Sequence, residues 1–410
     1  MLKNQKTLAN IISLYGLSIA QIVFPLLTLP YLTRVLSVDC YGIVAYVKAV
    51  MQYMQFTVDF GFMLSGTKDI VQSRNNKKKL EQEIGDILVA RIILAIFALM
   101  VLILMIVALP ILRSSVAYTL LSYTTVFLSV FLFDYYFRGI EKMQILTIRF
   151  VFMRGFATLL TIAFIKSDAD ILLIPIFDLM GSLLAVVLVV YELRKSSVSI
   201  KFTGLKATIG KLKNSFIYFI SNMATTVFGA LNTLLIGAFL PVMEVAYWSV
   251  CMQLIGGIQA MYNPITSGIY PNMIKTKSFS FIKKLLLIFI PIVFIGSALS
   301  YFIAPYVLLI VGGKQYLAAQ ELFRCLLPIL VFSFPAMVLG WPTLGAIDKA
   351  KQVTKTTVLS AITQLVSLLL LLSIGYFNIS WIAASRCLTE FILMLSRGAY
   401  CWRYRDEFNE

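Results

Sequence analysis

Lys48, Gln52, Gln55 and Asp59 recur at helical spacing within one otherwise apolar stretch. At 100° per residue the four share roughly 60° of arc. At 1.5 Å per residue they form a stripe about 16 Å long. One ammonium, one carboxylate and two amides on a single face suit the binding of an ion or a polar solute rather than covalent chemistry. Polar side chains are costly in hydrocarbon, so such a stripe faces protein or water and not lipid. A second set repeats the theme. Asn214, Ser221, Thr225 and Asn232 share one helical face with Gly229 between them, and Gln259 and Asn263 follow. Near the start of the chain, Asn10, Gln21 and Thr28 make a comparable face. Either these faces hydrogen-bond to one another between helices, which needs no further role, or they line a water-filled cavity between two halves. The cavity is favoured, because four helices share the pattern and Lys48 and Asp59 are ionic.

Other charges sit inside apolar stretches. Arg154 and Asp178 can pair across neighbouring helices. Arg386 and Glu390 are four residues apart, a spacing that suits a pair within one helix. Arg91 is near enough to a helix end to snorkel, and Arg34 reads as an interfacial anchor just beyond the first span.

The elements that must position these groups are membrane helices. Of 410 residues, 60% are hydrophobic and only 13% are charged, more apolar surface than a soluble domain can bury. A span needs about 20 apolar residues. Twelve such stretches are predicted, near 8–29, 41–64, 84–109, 116–137, 145–165, 170–191, 215–240, 246–266, 282–304, 318–341, 353–373 and 379–400. The first runs on to about Leu32, too long for a signal peptide, and reads as a retained span. The fold class expected is an all-α polytopic membrane protein. The longest polar connection, near 192–214, separates a six-helix bundle at 1–200 from another at 201–410.

An offset of 204 residues aligns the halves weakly: Leu36-Ser37-Val38 falls on Leu240-Pro241-Val242, Gln55 on Gln259 and Asp59 on Asn263. Six spans per half make both copies enter from the same side, a parallel pseudo-twofold repeat. About 25 Lys and Arg fall on one side of the expected membrane and about four on the other, a bias that puts both termini in the cytoplasm.

The net charge of +16 follows from that bias, and no nucleic-acid partner is needed to explain it. The chain has no histidine, which removes the usual proton relay and the Ser-His and Cys-His nucleophiles. Its five cysteines stand singly, without metal spacing. No phosphate-binding loop, dinucleotide fingerprint or nucleophile elbow occurs. Neither a cofactor, a metal nor an enzymatic activity is expected.

The opening stretch carries a family resemblance. Asn10, the run Pro30-Tyr31-Leu32-Thr33-Arg34-Val35-Leu36-Ser37, Tyr41-Gly42 and Asp59-Phe60-Gly61-Phe62 ahead of Lys68 and Arg74 resemble the O-antigen flippases (Wzx-type) of the MATE-like multidrug/oligosaccharidyl-lipid/polysaccharide superfamily. The resemblance implies two six-helix bundles in a V. It implies movement of an undecaprenyl-diphosphate-linked oligosaccharide from the cytoplasmic to the periplasmic leaflet of the bacterial inner membrane by alternating access. It further implies coupling to H+ or Na+ and work beside a polysaccharide polymerase and chain-length machinery. On that reading Lys48, Arg154, Arg34, Arg91 and Arg386 are candidates to meet the diphosphate. Gln52, Gln55, Asn214, Thr225, Asn232, Gln259 and Asn263 are the polar lining, and Asp59, Asp178 and Glu390 are candidates for ion coupling.

Two rivals remain open. A drug-efflux transporter of the same superfamily would favour cationic drugs and hence carry excess carboxylates, whereas the intramembrane residues here have a basic excess. A membrane polymerase or glycosyltransferase would need a long external loop or external carboxylates, and the external connections are short.

Overall fold

The computed structural model describes residues 2–409, and the side chains of all of these except 2–9, 11 and 221–229. It divides into two compact units, Met1–Thr226 and Val227–Glu410. The first contains α1 (Leu2–Val35), α2 (Val38–Asp59), α3 (Phe62–Ser73), α4 (Lys77–Ala108), α5 (Pro110–Ser114), α6 (Val116–Ser129), α7 (Asp134–Gly139), α8 (Met143–Phe164) and α9 (Leu173–Lys195). The unit boundary falls within α10 (Leu205–Phe239). The second unit continues with α11 (Val242–Ala260), α12 (Tyr262–Thr276), α13 (Phe279–Gly312), α14 (Gln320–Leu326), α15 (Pro328–Val338), α16 (Ala350–Ser373) and α17 (Ile379–Arg403). The described residues form no named β-strand, only one isolated bridge between Ser278 and Asn409.

Among the described residues, nine helical segments are long and apolar enough to cross a membrane, against the twelve expected. The expected spans at 41–64, 215–240 and 246–266 are not among the nine. For α2 the stripe itself lowers the hydropathy, and α11 is diluted in the same way by Glu244, Gln253 and Gln259. In α10 the apolar stretch recognised is only Ala230–Phe239, next to side chains that are not described.

The helix order repeats at the offset of 204. The end of α1 and the start of α2 map onto 239 and 242, the end of α10 and the start of α11. The end of α4 and the start of α6 map onto 312 and 320, the end of α13 and the start of α14.

Local chemistry sets these bounds. Ser37 caps α2, its hydroxyl accepting from the Cys40 amide at 3.2 Å. After Asp59 the chain turns through Phe60 (φ 39°) and Gly61 (φ 79°), both left-handed. A Cβ on Gly61 would lie 2.8 Å from the Phe219 amide nitrogen, so glycine serves both the turn and the close approach of α10. The family-like Ser37 and Asp59-Phe60-Gly61-Phe62 are thus the punctuation of α2.

The connection after α9 lies against the start of α4. Glu81 accepts from the Ser199 amide and pairs with Lys201, while Asp86 accepts from the amide and hydroxyl of Thr203. Lys211, near the start of α10, binds Asp69 at 2.8 Å and also meets Glu83. Burial would lower the basicity of Lys211, but these two carboxylates outweigh it and hold the ammonium above its ordinary value. Each unit has its own apolar core. Ile70, Ile84, Ile87, Tyr135 and Phe137 anchor the first, and Met273, Ile282, Phe334, Val338 and Leu344 the second.

Candidate functional site

The stripe on α2 borders two pockets inside the first unit. One, of about 300 Å³, is lined by Lys48, Tyr118, Arg154 and Asp178 together with Gln21 and Thr28 of α1. The other, of about 280 Å³, is lined by Gln55, Asp59, Arg91, Asp134, Arg149, Arg154 and Asp178. Gln21, Thr125, Phe150, Arg154 and Asp178 border both, so the pockets adjoin. Gln21 and Thr28 of the first expected face and Lys48, Gln55 and Asp59 of the second therefore meet the same space, one formed by the first unit's own helices.

Three ion pairs cross between helices here. Arg91 of α4 donates to Asp59 of α2 at 2.8 Å. Arg149 of α8 lies 2.6 Å from Asp134 of α7. Arg154 of α8 donates to Asp178 of α9 at 2.8 Å. The first two guanidiniums are enclosed, with 5% and 6% of the side chain exposed. Each also donates to a backbone carbonyl, Val130 for Arg91 and Leu132 for Arg149. The third pair is open to the pockets, with 44% of Arg154 and 35% of Asp178 exposed.

Lys48 differs from all three arginines. It is exposed in the pocket that it lines, and among the described residues no carboxylate lies within 4.0 Å of its ammonium. It nevertheless lies within electrostatic reach of Arg154 and Asp178. The cations Lys48, Arg91, Arg149 and Arg154 face the carboxylates Asp59, Asp134 and Asp178, which leaves one positive charge uncompensated at Lys48. Such a surface attracts an anion, since an oxyanion can meet an ammonium without first displacing a carboxylate.

The second unit has a separate pocket of about 340 Å³ lined by Gly256, Gln259, Asn263, Ser333 and Glu390, among others. Arg386 donates to Glu390 at 2.6 Å, the i,i+4 pair expected, with both side chains nearly enclosed.

Other expected residues lie elsewhere. Asn232 is buried, and its carbonyl accepts from Gln364 at 3.0 Å. Gln364 also donates to Ser385 and accepts from Thr389, a closed polar knot. Arg34, Gln52 and Asn214 are exposed and border none of these three pockets. Thr225 lies outside the described side chains.

Residues not singled out from the sequence also contribute. The enclosed Arg149 pairs with the half-buried Asp134 beside the second pocket, and Tyr118 lines the first. In the second unit Arg397 is buried without a carboxylate partner among the described residues. It donates to the Ala336 carbonyl at 2.6 Å and to Thr357 at 3.1 Å. The signal for Asp134, Arg149 and Arg397 is a charge within an apolar run, a signal that Tyr118 lacks.

The family model described as "Polysaccharide biosynthesis protein" matches residues 7–277, more than half of the chain. A curated protein of Shigella dysenteriae named "Putative O-antigen transporter" is 26% identical over 94% of this chain and 98% of its own length. One of the same name from Escherichia coli (strain K12) is 24% identical over 68% of each chain. Among solved structures, a multidrug resistance MATE family transporter of the MOP superfamily, inward-facing, superposes with a TM-score of 0.73. It has 13% identity, over 97% of this chain and 98% of its own. The lipid II flippase MurJ in an inward closed conformation gives 0.69 at 12% identity, over 97% of this chain and 87% of its own. These structures have in common with this chain a fold of membrane-spanning helices. The matched stretch contains both pockets of the first unit, and the chain belongs to the polysaccharide biosynthesis protein family.

Proposed function

We propose that this protein is a flippase that carries an undecaprenyl-diphosphate-linked oligosaccharide from the cytoplasmic to the outer leaflet of a bacterial inner membrane, for O-antigen or a related surface polysaccharide. The observation that carries this reading is Lys48, an exposed ammonium without a carboxylate partner in a pocket at the level of a polar stripe. A diphosphate cannot enter an apolar bundle bare, because an unpaired buried charge costs several kcal/mol. Lys48 supplies the charge that the ion-paired arginines do not, with Arg154 beside it. Family membership and the names of the two relatives support the same substrate class. The basic excess around the pocket is less suited to cationic drugs.

The transport step is alternating access, the pocket opening to one leaflet and then to the other. Both termini lie in the cytoplasm. On this topology the membrane potential helps: one charge moved through 100 mV is worth about 2.3 kcal/mol, and a diphosphate moves outward with at least two negative charges. Asp59, Asp178 and Glu390 are the carboxylates available to exchange H+ or Na+, and a polymerase and chain-length machinery receive the flipped unit.

The test is reconstitution of the full chain in liposomes with a lipid-linked oligosaccharide, following its appearance in the opposite leaflet. Protein-dependent flipping that is lost in Lys48→Ala supports the reading. No flipping of any lipid-linked diphosphate, together with export of a cationic dye, overturns it in favour of drug efflux.

A further inference from the structure

The three arginine–aspartate pairs of the first unit are not equivalent. Arg91 and Arg149 are enclosed and wedged against backbone carbonyls, so their geometry is fixed from two directions. Arg154 has no such backbone bond among the described interactions. Its partner is Asp178, and both side chains present much of their surface to the pockets. Asp178 itself stands on a regular stretch of α9, where Ser182 donates to its carbonyl at 2.8 Å. The backbone of Asp178 therefore stays in helical geometry whether or not Arg154 remains on the carboxylate. Lys48 lies within electrostatic reach of both members of the pair.

From this arrangement we propose that Asp178 is a resident counter-ion that an incoming phosphate displaces from Arg154, and that it sets how readily the headgroup is released. The inference rests on the reading of the pocket as a diphosphate site and adds its regulation. Two free cations side by side would hold a diphosphate tightly, and a carrier must let its cargo go. With Asp178 in place, the phosphate gains Arg154 only by breaking an existing ion pair. When the headgroup leaves, Asp178 takes the guanidinium back, so Arg154 is not left bare in the membrane. Capture falls to Lys48, and release to the competition between Asp178 and phosphate for one guanidinium. The exchange involves no covalent step.

Asp178→Asn tests this. The amide keeps an acceptor for Arg154 but removes the competing charge. The measurement is binding of a short-chain prenyl diphosphate to the full-length protein in lipid nanodiscs, with the matching prenyl alcohol as control, alongside the rate of flipping in liposomes. The variant is expected to bind the diphosphate about ten-fold more tightly, as removal of a like charge a few ångströms away dictates. Binding of the alcohol stays unchanged, and flipping slows because release slows. Damage to the fold would weaken binding, so a gain in affinity reports the competition itself. Asp178→Ser, which also removes the charge, is expected to behave in the same way.

Wild-type binding that is unchanged or weakened in both variants overturns the inference and leaves the diphosphate site standing. Absence of diphosphate binding by the wild type overturns the site and the inference together. Failure of both variants to fold overturns the inference too, since Asp178 would then be a structural partner only.

Discussion

The carboxylate of Asp59 on α2 accepts from the Arg91 guanidinium of α4 at 2.8 Å, and the two ends of this bond lie in different surroundings. Asp59 keeps 38% of its side chain exposed to the pocket, whereas Arg91 keeps 5%. Breaking the pair from one side therefore differs from breaking it from the other. Loss of Arg91 leaves a carboxylate that water can reach. Loss of Asp59 leaves an enclosed guanidinium with only the Val130 carbonyl to meet it. Stranding a buried charge costs about 3 kcal/mol or more, and an exposed one much less. Asp59→Leu is expected to lower the unfolding midpoint in detergent well below that of Arg91→Met. The double variant is expected to recover much of the loss, and equal loss in both single variants would contradict this account.

Lys48 predicts the opposite pattern. Its ammonium is exposed and unpaired, so Lys48→Ala removes little that holds the fold together. Its stability is expected to stay within about 0.5 kcal/mol of wild type. Flipping, in contrast, is expected to fall at least about ten-fold, the equivalent of one charge-assisted contact of about 1.4 kcal/mol. Lys48→Arg keeps the charge and is expected to retain part of the rate. A Lys48→Ala protein that flips normally would remove this side chain from the mechanism.

The stripe on α2 was legible because period is local: Lys48, Gln55 and Asp59 fall on one helical face whatever surrounds them, and the structure has all three bordering adjoining pockets. The pairing of Asp59 was not legible. Lys48 shares its face but stands eleven residues, about 16 Å, away along the helix, and it is Arg91 that reaches Asp59 from α4. Only tertiary packing decides which cation from another helix comes near. Asp134 stands out as a charge in an apolar run, but its place at the start of a helix was not legible, for a different reason. It begins α7 directly after Phe133, whose left-handed φ of 49° interrupts what reads as one continuous span at 116–137. No local pattern marks a left-handed turn at a phenylalanine. The repeat at 204 was faint in identity but clear in helix bounds, because capping and breaking positions constrain the backbone more than they constrain the side chain.

Gly61 is one such breaking position. Its φ of 79° and the 2.8 Å approach of the Phe219 amide and Tyr218 Cβ leave no room for a methyl group. Ser65 and Ser215 join the same elements through a 2.6 Å hydrogen bond. Gly61→Ala is expected to destabilise the protein by about 2 kcal/mol or more, from backbone strain and displacement of α10 together. Gly256 meets nothing within 4 Å of an added Cβ, so Gly256→Ala in α11 is the control. It is expected to be neutral or slightly stabilising, as for any open helical glycine. Similar melting of the two variants would show that the turn at Gly61 tolerates a side chain.

Arg397 carries a last prediction, because it serves a break in a helix rather than a carboxylate. After α15 the chain passes through a π-helical turn, Leu339–Leu344, in which Gly340 leaves helical geometry at ψ −118°. Such a break frees carbonyls from their usual donors. The Arg397 guanidinium fills the gap, donating to the Ala336 carbonyl at 2.6 Å, to Thr356 at 3.3 Å and to Thr357 at 3.1 Å. A Cβ on Gly340 would come within 2.7 Å of the guanidinium, so the glycine makes room for it. Three acceptors in different directions suit a planar fork and not a single ammonium. Arg397→Lys is therefore expected to lose about 2 kcal/mol of stability, the scale of charged hydrogen bonds left unmade. Arg397→Leu is expected to lose more, because the Ala336 carbonyl, Thr356 and Thr357 then lose the guanidinium donor altogether. Full stability in Arg397→Lys, measured by thermal unfolding in detergent, would mean that positive charge alone holds the break and that the fork geometry is incidental.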